Sequence, residues 1–306
     1  GSEQSMSFTG FMFRQLAGKG DAKRDANLKE PADVTAEKNI NYARNQDSWN
    51  LLDISYPRGT KEKLPVIVSV HGGGYVYGTK EVYKFYGMYL AQQGFVFVNF
   101  NYHLAPKAKF PTQLSELNRV LEWMTEQADA YFMDLNNVFL VGDSAGAQMA
   151  SQYGAIWSNP EYAKLFPFTV PSQIHIRALG LNCGMYEIGL PKPGEKQEGA
   201  ASMTKSLMRD YLGKDTGRYG KMLDVKEFIT EKYPPAYIMT AYYDFLKEKA
   251  EPMYEFLKSK GVDAEWKCYG IEETKYMQHV CHVNMNLEEA KQINNDECAF
   301  FRKHMN

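Results

Sequence analysis

An α/β class, with a mostly parallel sheet flanked by helices, is what this 306-residue sequence predicts, and three observations lead there. Residues 65–70 and 95–100 are nearly unbroken apolar runs, interrupted only by Ser69 and Asn99, as strands buried on both faces require. Strand-like and helix-like stretches then alternate along the chain, the pattern of repeated βα units. The composition is 44% hydrophobic and 24% charged, so the chain can bury a full core and is neither disordered nor disulfide-stapled in character. A length of ~150 residues per domain would allow two domains, but a single α/β domain of this size is ordinary, and residues 1–306 are read as one.

Taken in order, Phe8, Phe11, Met12, Phe13 and Leu16 recur at helical spacing and predict a short helix that packs on the body or covers a site. Residues 18–33 are polar without an apolar period and read as a loop or a loosely attached helix. Two β-like runs, 40–43 and 51–56, give the sheet an antiparallel start, the second stopped by Pro57-Arg58-Gly59. After strand 65–70 come a helix at 83–93, strand 95–100, a helix at 112–127, a strand at 138–141 and a helix at 145–157. The series resumes with strands at 176–181 and 236–240, a helix at 247–260 that must accommodate Pro252, a strand at 264–269 and a closing helix near 287–304. Residues 184–224 break the rhythm, with Pro191, Pro193, Gly189, Gly194, Gly199 and a single convincing helix at 203–212. Long excursions of this kind often cover ligand sites, so this insertion and roughly residues 1–40 are expected to form a small helical cap; a plain surface excursion is the alternative.

Thirty-five Lys and Arg against thirty-seven Asp and Glu leave a net charge of −2, so no positive field gathers nucleic acid, and none is expected as a partner. Cys183, Cys268, Cys281 and Cys298 show no CxxC spacing, and reduced thiols in a cytoplasmic setting fit best. No run approaches the ~18 to 20 apolar residues that a membrane span needs. Gly1-Ser2 has the character of a cloning remnant, which makes the cytoplasmic expectation provisional, since an export signal could have preceded residue 3. The sequence is compatible with a homo-oligomer.

The chemistry is concentrated in a few places. Gly142-Asp143-Ser144-Ala145-Gly146 sets G-x-S-x-G directly after a strand and before a helix, the context that a strained nucleophile turn requires. His71-Gly72-Gly73-Gly74-Tyr75 follows strand 65–70, where an exposed glycine run can aim backbone N–H groups at a developing oxyanion. By composition the first pattern is expected by chance ~0.1 times and the HGGG run ~0.003 times, so their joint occurrence at strand ends carries the inference. No GK[ST] and no GxGxxG is present, which removes nucleotide binding.

HGGGY at 71–75, Tyr102-His103-Leu104-Ala105-Pro106 with Phe110-Pro111, and GDSAGA at 142–147 together resemble the hormone-sensitive-lipase-like esterases of the α/β-hydrolase fold. The likeness extends from about residue 40 to the C-terminus, with the three motifs in the family's order. The sequence departs from the family at His103, where arginine is usual, and at Lys107, where glutamate is usual. The resemblance implies an α/β-hydrolase fold, and oxyanion donors at the backbone N–H groups of Gly73 and Gly74; the turn itself supplies that of Ala145.

In this fold the nucleophile is followed by an acid and then a histidine. His71 and His103 precede Ser144, His175 lies ahead of the expected acid, and His304 sits in the terminal helix, which leaves His279 and His282 on the loop after strand 264–269. Asp244 stands at the end of the strand that begins near Ala236 and is the expected acid, with Glu248 as runner-up and Asp143 as a support for the turn. Asp244-Phe245-Leu246-Lys247-Glu248 resembles the family's D-P-L-x-D, and His279-Val280-Cys281 its catalytic H-G-F step, so His279 is preferred as base and His282 remains the alternative. No cofactor is expected, and no His, Cys or carboxylate cluster shows metal spacing. The expected activity is carboxylic ester hydrolysis on small short-acyl substrates. A non-catalytic small-molecule receptor on the same fold, or an amidase or peptidase with the same triad, are the alternatives.

Overall fold

The computed structural model describes residues 6–187 and 200–306. Eight strands form one sheet: β1 (Val34–Asn41), β2 (Leu51–Pro57), β3 (Leu64–Val70), β4 (Val96–Phe100), β5 (Met133–Asp143), β6 (Ile176–Asn182), β7 (Ala236–Ala241) and β8 (Ala264–Tyr269). Their order across the sheet is β1-β2-β4-β3-β5-β6-β7-β8, with β1 and β2 antiparallel and β3 to β8 parallel. The predicted class and the antiparallel start are therefore both present.

The unbroken apolar runs follow from burial on two faces. Val96, Val98 and Phe100 of β4 join one core with Val66, Val68 and Leu140, while Phe95 and Phe97 join a second core with Ile67, Phe139 and Val141. Successive side chains point to opposite faces, and helices cover both, so both registers are apolar but for Ser69 and for Asn99, whose side-chain amide donates to the Lys80 carbonyl at 2.6 Å. On one side lie α3 (Thr112–Gln127), α4 (Ala145–Ser158) and the short α5 (Pro160–Ala163); on the other lie α2 (Lys84–Gln92) and α9 (Glu288–Lys303). In α3 the buried Leu114, Leu117, Val120, Leu121 and Met124 recur at three- and four-residue steps. In α9, Glu288 and Glu289 occupy the first turn and Arg302 and Lys303 the last, matching the helix dipole at both ends.

Several elements differ from expectation. The N-terminal helix α1 (Phe8–Asp25) runs well past Leu16 into the segment read as a loop or a loosely attached helix, which takes the second form up to Asp25, with long-range anchors in place of the missing apolar period. The Arg14 Nε donates to Val76 O at 2.8 Å, and the Arg24 Nη2 donates to Val82 O at 2.6 Å. How Phe8, Phe11, Met12, Phe13 and Leu16 pack lies outside the described side chains. Strand β1 starts at Val34, six residues before the expected 40–43 run, with an irregular register between Glu37 and Ile40. Strand β5 is also longer than 138–141.

Within the insertion, α6 (Ala200–Leu212) is followed by a second short helix, α7 (Thr216–Met222), which the glycines at 217 and 220 concealed. Tyr219 of α7 packs its ring 5.3 Å from that of Phe110. Residues 188–199, and with them Pro191, Pro193, Gly189, Gly194 and Gly199, lie outside the described residues. Helix α8 (Ala250–Ser259) begins three residues later than expected, after a 3-10 turn at Lys247–Lys249. Pro252 thus falls in the first turn of α8, where its missing N–H would have had no intrahelical partner anyway. Among the described residues, no helix is long and apolar enough to cross a membrane.

Candidate active site

The C-terminal ends of the central parallel strands β3, β5 and β7 carry the functional side chains, the usual location of sites in open α/β sheets. Ser144 joins β5 to α4 with φ 55° and ψ −119°, a conformation that strains any residue with a Cβ. Its N–H is held by the carbonyl of Asn182 at 3.0 Å. The turn is tight enough to dictate its flanks: a Cβ on Gly142 would stand 2.2 Å from the carbonyl oxygen of Gly146, and one on Gly146 would stand 2.0 Å from that of Val70. The G-x-S-x-G spacing is thus a packing requirement of the turn itself.

The glycine loop after β3 is fastened to this turn. Gly72 donates its N–H to Asp143 Oδ1 at 3.0 Å, and the Tyr83 hydroxyl reaches the same oxygen at 2.9 Å. Burial pushes Asp143 up to about 6 despite the hydrogen bond from Tyr83 and the charge of His279. Asp143 thus ties the glycine loop and Tyr83 to the serine turn. His71, pushed down to about 4 by burial, stacks on Tyr102 with ring centroids 4.0 Å apart. It is neutral at physiological pH, and its Nδ1–H donates to the Gly72 carbonyl at 2.7 Å. Gly73, at φ +120°, passes so close to Tyr77 that a Cβ would meet the latter's carbonyl oxygen at 2.0 Å. Tyr75 completes the loop: its hydroxyl donates to Gln148 at 2.7 Å and its ring stacks on Tyr211 of α6 at 3.9 Å.

Asp244 lies three residues beyond β7, with a fully buried side chain. Burial opposes its ionisation, but hydrogen bonds from His279, Leu246 N and Thr240 outweigh it and hold the carboxyl below the usual range. His279 Nδ1 stands 2.6 Å from Asp244 Oδ1, and its ring, 21% exposed, lines the same cavity as Ser144. His282 is in a different situation. It is 1% exposed, packs edge-on to Tyr86 at 5.4 Å and is pushed down to about 3 by burial and by the charges of His279 and Arg24. Glu248 is exposed in the 3-10 turn ahead of α8.

The site has one unexpected neighbour. Cys183, at φ 49°, follows β6 and accepts the N–H of Val280 at 3.4 Å. Its Sγ lies with the ligand atoms of Asp244 and His279 in a group spanning no more than 4.8 Å, although sequence spacing gave no metal-like cluster. Burial drives the Cys183 thiol well above its ordinary range, so it stays protonated, and Asp244 and His279 are already engaged with each other. The group suits a hydrogen-bonded acid–base pair better than a metal site, which would need a thiolate. His103, standing where arginine is usual, bridges Glu116 and Asp47 at 2.7 Å each. Those two carboxylates raise its pKa against the opposing effect of burial.

Two cavities meet at Ser144. One, of about 40 Å³, is apolar and is lined by Gly74, Ala145, Met185, Leu207, Met208 and Leu246. The other, of about 180 Å³, is lined by Gly72, Gly73 and His279 on the sheet side and by Asp21 and Arg24 of α1.

Behind the turn, Glu297 of α9 is 1% exposed, with its carboxyl 2.6 Å from where a Cβ on Gly180 would stand. Asn182 lies alongside, yet among the described residues neither side chain completes a hydrogen bond of ordinary geometry. Tyr86 and Cys298 also feel its charge, and burial pushes Glu297 up to about 8. An acid raised in the folded state keeps a proton that the unfolded chain releases above pH ~4.5, so folding stability falls as pH rises from ~4.5 to ~8, by about 1.4 kcal/mol per unit. Glu297→Gln keeps the shape without the proton. Urea melts from pH 4 to 9 should show it matching the wild type at pH 4 and exceeding it by ~2 kcal/mol or more at pH 8. A constant offset across that range would show that Glu297 does not titrate there.

The comparisons with known proteins agree with this architecture. The profile of the alpha/beta hydrolase fold family matches residues 67–282, more than half of the chain. An alpha/beta hydrolase of Acanthamoeba polyphaga mimivirus is 36% identical over 119 residues, 39% of this chain and 32% of its own length. An acetyl esterase of Salmonella schwarzengrund is 22% identical over 214 residues, 67% of this chain and 62% of its own. The chain thus spans about a third to three fifths of these curated relatives. Among solved structures, esterase B of Lactobacillus rhamnosis superposes with a TM-score of 0.87 at 22% identity, covering 96% of this chain and 93% of that one. The chain belongs to the alpha/beta hydrolase fold family, in the group of hormone-sensitive-lipase-like esterases that its motifs resemble.

Proposed function

We propose that this chain is a serine carboxylic ester hydrolase for small short-acyl esters, with Ser144 as nucleophile, His279 as base and Asp244 as the acid that orients it. One observation carries the reading: Asp244, buried and held ionised, bonds His279 at 2.6 Å while His279 and Ser144 open onto one cavity. A non-catalytic receptor has no use for an ionised carboxylate kept in place behind a partly exposed histidine, so this pairing favours the enzyme. The buried, neutral His282 is suited to packing and to carrying the loop, which supports His279 as the base.

The reaction runs in two halves. His279 Nε2 takes the proton from Ser144 Oγ as the oxygen attacks the ester carbonyl, and Asp244 fixes the tautomer with the proton on Nδ1 and stabilises the imidazolium. The tetrahedral oxyanion accepts hydrogen bonds from the N–H groups of Gly73, Gly74 and Ala145, which the strained loop and turn hold without further reorganisation. The imidazolium protonates the leaving alcohol, and water, activated by the same base, then hydrolyses the acyl-serine.

We assign residues 1–306 to one domain and the cap to α1 together with α6 and α7. Ser7 donates to both carboxylate oxygens of Asp210, through its N–H at 2.9 Å and its hydroxyl at 2.7 Å, which fixes the start of α1 to α6. Two cap residues, Leu207 and Met208, wall the 40 Å³ recess, room for only a few methyl-sized groups. A p-nitrophenyl ester series tests the substrate range: kcat/KM should be highest for acetate to butyrate and fall at least tenfold by octanoate. Undiminished turnover through palmitate would make the chain a long-chain lipase.

A further inference from the structure

The second cavity at Ser144 has a chemistry that the apolar recess lacks, and it faces the group that leaves. His279 lines this cavity and not the recess, while Ser144 lines both. Because the imidazolium must hand its proton to the departing alkoxide, the alcohol part of the ester has to occupy the side on which His279 stands.

The far wall of that cavity is α1. Asp21 is 26% exposed and Arg24 13%. Arg24 is held on three sides: Nε and Nη2 grip the two carboxylate oxygens of Asp25 at 2.8 Å each, and Nη2 also reaches Val82 O. Among the described residues its Nη1 makes only a long contact to Asp21 Oδ1, 3.4 Å away. Asp21 Oδ2 accepts the Tyr77 hydroxyl at 2.6 Å. A carboxylate offers about four lone-pair sites, and these bonds use two of them, one weakly. The wall therefore presents an acceptor with spare capacity next to a guanidinium edge with a spare donor, at the rim of a cavity several times larger than the acyl recess.

A hydroxyl group donates and accepts at once, and vicinal hydroxyls match an adjacent carboxylate and guanidinium pair; an alkyl alcohol would desolvate their spare acceptor and donor positions without satisfying them. A cationic alcohol would find Arg24 beside its partner. We infer that Asp21 and Arg24 form a leaving-group site for polyhydroxylated alcohols, so that the preferred substrates are short-acyl esters of a polyol or sugar. This rests on the ester-hydrolase reading and on His279 as base.

The test holds the acyl group constant: kcat/KM is measured for glyceryl 1-monoacetate, n-propyl acetate, acetylcholine and p-nitrophenyl acetate. The wild type should favour the glyceryl ester over the propyl ester by about tenfold, mainly through KM, and should disfavour acetylcholine. Asp21→Leu should erase that ratio, and Asp21→Asn, which keeps one acceptor, should retain part of it. Equal kcat/KM for the glyceryl and propyl esters, a preference for acetylcholine, or an equal loss on all four substrates in Asp21→Leu would overturn the site while leaving the hydrolase reading intact. Failure of the wild type to turn over any of the four acetates would instead overturn both.

Discussion

Ser144→Ala is expected to lower ester turnover by ~10⁴ to 10⁶-fold while the protein stays folded. The loss follows from removing the hydroxyl oxygen that the proposed mechanism uses as nucleophile at the apex of the turn. Stability should change little, because the Ser144 side chain makes no capping hydrogen bond to α4 and alanine carries the same φ +55° strain as serine. The check is kcat on p-nitrophenyl acetate beside a thermal melt of the same preparation. A folded variant with more than a tenth of wild-type activity would remove Ser144 from the mechanism.

The second large effect separates the two histidines. His279→Ala should match Ser144→Ala in kcat, and the double variant should be little worse than either, since residues that act as one unit are grossly non-additive. His282→Ala should act mainly on stability, by about 1 to 3 kcal/mol, because it empties space beneath Tyr86 in the buried side of the loop. His282→Asn, closer in volume and still polar, should retain turnover within roughly tenfold if the alanine variant folds poorly. The reverse pattern, with His282→Asn inactive and His279→Ala active, would move the base three residues along the chain.

What was legible in the sequence was whatever local pattern or close packing fixes. The doubly buried strands β3 and β4 were visible because both faces demand apolar residues, and the serine turn because its glycines are excluded from bearing a Cβ by contacts at 2.0 and 2.2 Å. Chain order, with the place of His304 in the terminal helix, then reduced six histidines to the two on one loop. Legibility failed where a role depends on segments far apart in the chain. Nothing near Cys183 announces that its thiol will sit beside an aspartate 61 positions on, and nothing near Glu297 announces a site against Gly180. Similarly, α1 is kept helical past Leu16 by Arg14 and Arg24 reaching carbonyls some sixty residues away, which no local period records. The same two anchors bring Asp21 and Arg24 to the cavity, so the leaving-group wall was invisible for the same reason.

The central claim, that Ser144 is a nucleophile activated by His279 and Asp244, is tested most directly by mass spectrometry of the protein after reaction with a short-chain alkyl phosphonate. The account predicts one phosphonyl group per chain, carried on Ser144, with ester turnover lost in proportion to labelling. Labelling should be absent in Ser144→Ala and strongly slowed in His279→Ala. Full loss of activity with Ser144 unmodified, or full modification of Ser144 with activity retained, would contradict it.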